Sequence, residues 1–587
     1  MLGLNRPWAP GYKNMLKHEF AEYFQQASIK EKLQNLHWRA YEEVPRSTVP
    51  KGTRILRPMT AYDIKYNTRG EIEKFKSRVC LDGSRTTVPE DETYETIANF
   101  GTIRMLLCMA TRYGMDIVQT DVRNFFLQAR MPEGKEYYAY IPEGWAENDP
   151  ETHVAKVLAP WYGLKESAKI AGDQLAGIFG SVGLKESVMM PKVFYKWSGD
   201  DLIIGATHID DAIWITTNMK LLKQLLNKVN EKMEMTVTYN PTKLLGIEIE
   251  YDKKLGLMKL HQGSYIRAKL KELGIVGVNR KTRSPGFIAP KVDNPVWGGG
   301  TTVQASVEAI RRYQKRVGIQ MWALQSDPSS MYVVHKLAEG MLNPQWEHEK
   351  GIDRVEQYKA TNPEVGVVFK RHPNKEKMKF GLNLDCLTYY ADADLAGCRT
   401  TSKSVSGYCV YMGESGMFDW KSKKQTCVCQ SSCESEVFAN KECTCHAVWL
   451  RQALSEIGFT FTEPTPVCQD NSGAIALCKS DKHHTRVRHF RMHVHLLKDC
   501  ARRRITIYPW VPTLQMRGDL FNKAHGPDMH QKLCMLNGIH TVSIEHVFPE
   551  AQPLEIYGWP ERVAKERKEK QDAAERKTVT FLEEKSV

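Results

Sequence analysis

Two apolar, β-prone runs at residues 202–207 and 212–217 are separated only by His208-Ile209-Asp210-Asp211. Runs this close together read as strand, tight turn, strand, with both aspartates at the tip. Adjacent aspartates in a turn have an ordinary explanation, since Asp tolerates turn backbone and hydrogen-bonds within it. The apolar flanks work against that explanation, because like charges between buried strands are costly without a metal or cation partner. A further strand-like run at residues 115–120 delivers Asp121. If it neighbours the hairpin, Asp121, Asp210 and Asp211 converge into a set able to hold two divalent cations roughly 3.5–4 Å apart, as nucleotide addition requires.

A chain of 587 residues is too long for one compact domain and suits roughly three or four. With 42% hydrophobic and 26% charged residues it is expected to be globular rather than disordered. The net charge of +13 favours a polyanionic partner. No apolar run approaches the roughly 18 residues of a membrane helix, so no membrane partner is expected. Met1-Leu2-Gly3-Leu4, followed by Asn5, Arg6, Pro7 and Trp8, is no secretory signal. Fourteen cysteines then fit reduced thiols in an intracellular protein. Cys427, Cys429, Cys433, Cys443 and Cys445 lie close together beside His446, but no C-x₂-C pair has a matching downstream pair. They read as small buried residues of a strand and the helix after it.

Along the chain, Phe20, Tyr23, Phe24 and Ile29 suggest a helical lead-in, and short strands and turns begin near Arg54. Asn67-Thr68-Arg69-Gly70 marks a turn, and residues 74–79 read as a half-exposed strand. Ile103, Leu106, Leu107 and Ala110 form one helix face that Gly114 can cap. Asn218 can cap a second helix striped by Leu222, Leu225, Leu226, Val229 and Met233. A second hairpin is expected at residues 244–251 and 257–261. Residues 284–301 are the best linker, followed by helices to about residue 370. A second α/β pattern runs from about residue 387 to 545, and residues 561–576 form a charged, solvated tail or helix. No internal repeat is visible.

That second pattern carries four more acids at element ends. Asp392 follows a strand, Asp470 closes another, and Asp519 precedes Leu520-Phe521. Glu436 lies in the first turns of a helix that Ser431 and Glu434 can open as a capping box. Glu434 is its rival, since either glutamate can point inward. Four carboxylates from four elements can build a two-metal phosphodiesterase site.

The succession Lys76-Ser77-Arg78-Val79, Thr102-Ile103-Arg104, Gln119-Thr120-Asp121-Val122, Trp161-Tyr162-Gly163-Leu164-Lys165, Ile209-Asp210-Asp211 and Leu245-Gly246-Ile247-Glu248 resembles, over residues 30–275, the reverse transcriptase of copia-type LTR retrotransposons. Tyr313 through Leu342-Asn343-Pro344 and Glu347-His348 resembles that family's connecting segment. Tyr390-Ala391-Asp392-Ala393-Asp394, Ser431-Ser432-Cys433-Glu434-Ser435-Glu436, Gln469-Asp470-Asn471-Ser472-Gly473, Arg488-His489-Phe490 and Asp519-Leu520-Phe521-Asn522-Lys523 resemble the RNase H domain that follows it.

The resemblance implies an α+β multidomain chain. A helical lead-in (1–45) would precede right-hand polymerase fingers and palm (46–277) and a linker and connection segment (278–383). An RNase H-like α/β domain with a mixed five-stranded sheet (384–545) and a charged tail (546–587) would follow. Asp121, Asp210 and Asp211 would be catalytic metal ligands, with Lys76 and Arg78 on the incoming triphosphate and Phe126 as a gate against the ribose 2′-hydroxyl. Asp392, Glu436, Asp470 and Asp519 would bind metal in the nuclease, while His489 and His495 would be structural or phosphate-facing. Mg²⁺ or Mn²⁺ would be the cofactor, and dNTPs, an RNA template, a DNA primer and RNA–DNA hybrid the partners, in a cytoplasmic particle or the nucleus. Three positions depart from the family. His208 replaces a Tyr, Arg491 replaces a common Asp, and Glu166 replaces a Gln that would face the nucleotide or template. A carboxylate there is unfavourable beside a triphosphate unless Lys165 or Lys169 offsets it. The alternative they leave is a degenerate or domesticated relic that binds nucleic acid without catalysis.

Overall fold

In the computed structural model, which describes residues 11–66, 72–89, 93–275, 282–286, 304–374, 376–398, 400–479 and 485–541, the lead-in forms helix α1 (Ala21–His37). Its buried Phe24 meets Tyr62 and Phe75, one from each strand of a hairpin, β1 (Pro58–Tyr66) and β2 (Ile72–Leu81). The turn expected at residues 67–70, most of the expected linker and the charged tail lie outside the described residues. Four short strands, Tyr41–Pro45, His153–Val157, Tyr137–Ala139 and Ile55–Leu56, form a separate sheet in that order.

Helix α2 (Phe100–Tyr113) is stopped at both ends as its sequence foretells. Asn99 accepts the Thr102 amide at 2.8 Å, and Gly114 takes the left-handed conformation at φ +65°. The expected single apolar face is a simplification, because Thr102 through Tyr113 are all buried. The helix lies between two sheets. One is six-stranded, built from β3 (Asp116–Val122), β4 (Lys185–Glu186), β5 (Val193–Ser198), β6 (Asp201–His208), β7 (Asp211–Thr216) and β8 (Met235–Tyr239), in the order β8-β3-β7-β6-β5-β4.

Alternation along these strands supplies two faces. Ile117, Ile204, Ile213 and Ile215 join Leu106, Leu107 and Ala110 of α2. Val118, Ile203 and Trp214 meet Leu175 and Phe179 of α3 (Ser167–Ser181) and Leu222, Leu225 and Leu226 of α4 (Met219–Asn230). Asn218 caps α4 through the Leu221 amide at 3.0 Å. Gly205 pairs across the hairpin with Trp214, whose ring would lie 2.3 Å from any Cβ added there.

The second expected hairpin is present as β10 (Ile247–Asp252) and β11 (Leu257–His261), beside the two-residue β9 (Lys243–Leu244). Its sheet is completed from far along the chain by β12 (Gly366–Lys370) and β18 (Ile539–His540). Between them, α5 (Val307–Ala323), α6 (Met331–Ala338) and α7 (Trp346–Thr361) share a small core of Tyr313, Val317, Leu337, Ile352 and Val355.

The last sheet contains β13 (Leu387–Cys398), β14 (Lys403–Met412), β15 (Met417–Lys424), β16 (Thr465–Cys468) and β17 (Thr506–Ile507), ordered β15-β14-β13-β16-β17. It is mixed, since β16 runs parallel to β13 and β17 parallel to β16 while the β13–β14 and β14–β15 pairs are antiparallel. The long helix α8 (Ser432–Ile457) packs on it.

Two bolts join this part to the six-stranded sheet. Buried Arg104 of α2 donates to the carbonyls of Phe418 (2.8 Å) and Gln325 (3.0 Å), pairs with Asp419 (3.0 Å) and lies 3.8 Å over the Trp420 ring. Near the end of α8, Glu456 accepts from the Ser187 hydroxyl and Val188 amide, both at 2.7 Å, and from the Met189 amide at 3.1 Å. The described residues up to Thr541 accordingly form one compact unit.

Candidate active sites: two carboxylate clusters

The first cluster follows from strand register. Asp211, the first residue of β7, pairs directly with Asp121 on β3, and the two-residue tip Ile209-Asp210 folds back so that the Asp210 carbonyl accepts the Val122 amide at 2.9 Å. Oxygens of Asp121, Asp210 and Asp211 lie within 4.8 Å of one another. Holding the tip costs backbone strain, because Ile209, a β-branched residue, sits at φ +61°. Gln119, two residues before Asp121 and so on the same strand face, donates to Asp211 Oδ1 at 3.1 Å.

Burial, then the charges of Asp211 and Asp210, push the Asp121 carboxyl up to about 6. Asp211 is raised as well, chiefly by burial. The Lys76 ammonium on β2 opposes the rise at Asp121 and is itself lowered by burial and by Arg78. The Arg78 guanidinium lies 4.8 Å over the ring of Tyr162, which meets Phe126 edge-on at 4.9 Å. Lys76 acts on Asp121 by its charge, and Tyr162 links Arg78 to Phe126. Tyr162 and Gln119 stand in the sequence motifs, and strand parity identifies Gln119.

Glu166 is fully buried and accepts a hydrogen bond from the Tyr137 hydroxyl. His208, half-buried, pairs with Asp211 across the hairpin, and its ring is 6.1 Å from that of Phe100.

In the second cluster, Asp392 lies within β13, Glu436 in the second turn of α8 and Asp470 just past β16, with oxygens of all three within 4.8 Å. Glu434 points away. Its backbone amide donates to Ser431 Oγ at 3.2 Å, while its carboxylate accepts the Gln430 amide at 2.8 Å and pairs with His489 at 3.1 Å. His495 is exposed. Gln469 donates to Glu436 at 3.0 Å and Thr513 to Asp470 at 2.8 Å.

Asp519 sits in a 3₁₀ turn, Arg517–Phe521, pressed against β13. A Cβ on Gly518 would come within 3.2 Å of the Asp392 Cβ and amide, and one on Gly407 within 2.7 Å of the Gly518 carbonyl. Burial, and then Asp392, push Asp519 up to about 8, and burial raises Glu436 as well. Burial also opposes ionisation of Asp392, yet hydrogen bonds from Asp519 and Asn522 and the Lys523 charge hold it low. Lys523, four residues after Asp519, lies 2.5 Å from Asp519 Oδ1 and 3.6 Å from Asp392 Oδ2. Among the described residues, these two carboxylate sets are the groups with metal-binding geometry, and the cysteines around Cys433 belong to neither.

Residues 41–285 match the family described as reverse transcriptase (RNA-dependent DNA polymerase). The chain is 27% identical to the retrovirus-related Pol polyprotein from transposon RE1 of Arabidopsis thaliana, over 74% of this chain and 28% of that polyprotein. It is 25% identical to the corresponding polyprotein from transposon TNT 1-94 of Nicotiana tabacum, over 77% of this chain and 33% of that one. The chain therefore spans about a third of the length of the curated relatives it matches. A foamy viral protease–reverse transcriptase solved in complex with double-stranded DNA aligns at 10% identity and a TM-score of 0.42, covering 82% of this chain and 68% of that one. On the family match and these relatives, residues 41–285 are a reverse transcriptase region, and the chain is similar to the corresponding part of copia-type retrotransposon Pol polyproteins.

Proposed function

We propose that the chain is an RNA-directed DNA polymerase that also hydrolyses the RNA strand of RNA–DNA hybrid. The observation that carries the polymerase reading is the register pairing of Asp121 with Asp211, which sets three carboxylates at the end of two inner strands, beside Lys76 and Arg78. The donor set fits Mg²⁺ or Mn²⁺, which are hard cations that take carboxylate oxygens. Bound there, such ions would neutralise the triphosphate and make the primer 3′-hydroxyl a better nucleophile. The chain's own part is to hold the ions on Asp121, Asp210 and Asp211 and the triphosphate on Lys76 and Arg78. Phe126, braced by Tyr162, would crowd a ribose 2′-hydroxyl and so favour dNTPs.

In this reading the β3–β8 sheet with α3 and α4 is the palm, the β1–β2 hairpin belongs to the fingers, and α5–α7 are the connection. The mixed five-stranded sheet with α8 is then an RNase H-like domain. Its four carboxylates on four elements support hydrolysis of a phosphodiester, with Gln469 and Thr513 orienting Glu436 and Asp470. An RNA template annealed to a DNA primer, and then the hybrid, would be the macromolecular substrates, consistent with the net charge of +13.

Primer extension and hybrid cleavage, assayed on the purified chain with Mg²⁺ or Mn²⁺ and a metal-free control, test both halves. Asp210→Asn is expected to abolish extension and spare cleavage, and Asp470→Asn to do the reverse. Extension that survives Asp210→Asn would remove the polymerase assignment, and cleavage that survives Asp470→Asn the nuclease assignment.

A further inference from the structure

The four acids of the C-terminal cluster are not equivalent. Three of them, Asp392, Glu436 and Asp470, bring oxygens within 4.8 Å of one another, whereas Asp519 stands outside that group. Its Oδ1 is 2.5 Å from the Lys523 ammonium, which also lies 3.6 Å from Asp392 Oδ2. That same Asp392 oxygen accepts the Asn522 side-chain amide. Oδ2 of Asp392 is therefore already supplied with two donors.

The Lys523 side chain is partly exposed, at 38%, and the turn before it is pressed onto β13 and β14 at Gly518 and Gly407. The polymerase cluster provides a contrast within the same molecule. Among the described residues, no Lys or Arg nitrogen is paired with Asp121, Asp210 or Asp211, although those acids are equally close-set.

Resting on the nuclease reading above, we propose that the Lys523 ammonium occupies the second cation position of the C-terminal set, so that this set takes one divalent cation, on Asp392, Glu436 and Asp470. A compact ammonium with three N–H donors can neutralise Asp392 and Asp519 and remain directed at substrate phosphate. A second divalent ion between those two carboxylates would meet that positive charge at close range and be repelled.

The test counts Mn²⁺ on the full chain by equilibrium dialysis and electron paramagnetic resonance. The first cluster is silenced by Asp121→Asn, Asp210→Asn and Asp211→Asn together, so that the C-terminal set alone is read. With Lys523 in place, one Mn²⁺ is expected and no exchange-coupled Mn–Mn signal. Lys523→Met is expected to admit a second Mn²⁺ and to produce the coupled signal. Two ions bound while Lys523 is present would overturn the proposal, as would one ion with and without it. If Lys523→Met fails to fold, Lys523→Gln replaces it, and the count with Lys523 present still decides. Hybrid cleavage by the unsubstituted chain is measured in parallel. Its absence removes the nuclease reading, whereas cleavage together with two bound ions removes only the role given to Lys523.

Discussion

Asp121 makes the proposed polymerase cluster sensitive to pH. Its carboxyl is pushed up to about 6 from a usual 3.8, first by burial and then by its two aspartate neighbours. Between those values the folded chain holds a proton that the unfolded chain has released. The metal-free fold therefore loses stability as pH rises through that window, and a bound cation offsets the loss. Protons and cations compete for the same oxygens, so the Mn²⁺ concentration giving half-maximal extension is expected to climb as pH falls from 7.5 through 6 to 5.5. A requirement that stays flat over that range would contradict the assignment of Asp121 as a ligand. At this scale the sequence was informative where geometry is local. Strand parity places Gln119 on the face of Asp121. It was uninformative for Glu166, whose fate is decided by the Tyr137 hydroxyl from another strand. Glu434 and Glu436, about 200° apart around a helix, cannot be ranked until the sheet that α8 covers is known.

The β6–β7 hairpin and the caps of α2 and α4 were legible because each depends on neighbours within a few residues. The burial of α2 on every side was not. It depends on Arg104 reaching Phe418, Asp419 and Trp420, more than 300 residues away in the chain. Arg104→Leu removes one partner of a desolvated pair and leaves two carbonyls without donors. A loss of about 3–5 kcal/mol is expected for such a change. Chemical denaturation followed by tryptophan fluorescence should register it. Because α2 lies between the two sheets, extension and hybrid cleavage are expected to fall together. A variant that loses only one activity would show that α2 is no shared support.

At the scale of the molecule, one core runs from Ala98 to Ile539 and takes residues from the neighbourhoods of both carboxylate clusters. Residues 384–587 expressed alone would expose the β14–β15 face that receives α2 and the end of α8 that Ser187–Met189 covers. Such a fragment is expected to show little amide protection in hydrogen exchange compared with the same residues in the whole chain. Native-like protection in the fragment would establish it as an independent domain. The pairing of β18 with β12 follows the same logic, since no local pattern announces that residues 539–540 close a sheet begun at residue 243.

That closing strand has a genetic consequence. A ribosome must deliver Ile539 and His540 before the sheet flanking the proposed polymerase half is complete. A frameshift or stop codon anywhere before that point is expected to silence both chemistries in one event. The two proposed activities are then expected to present one target to such mutations and to be lost by the same hit.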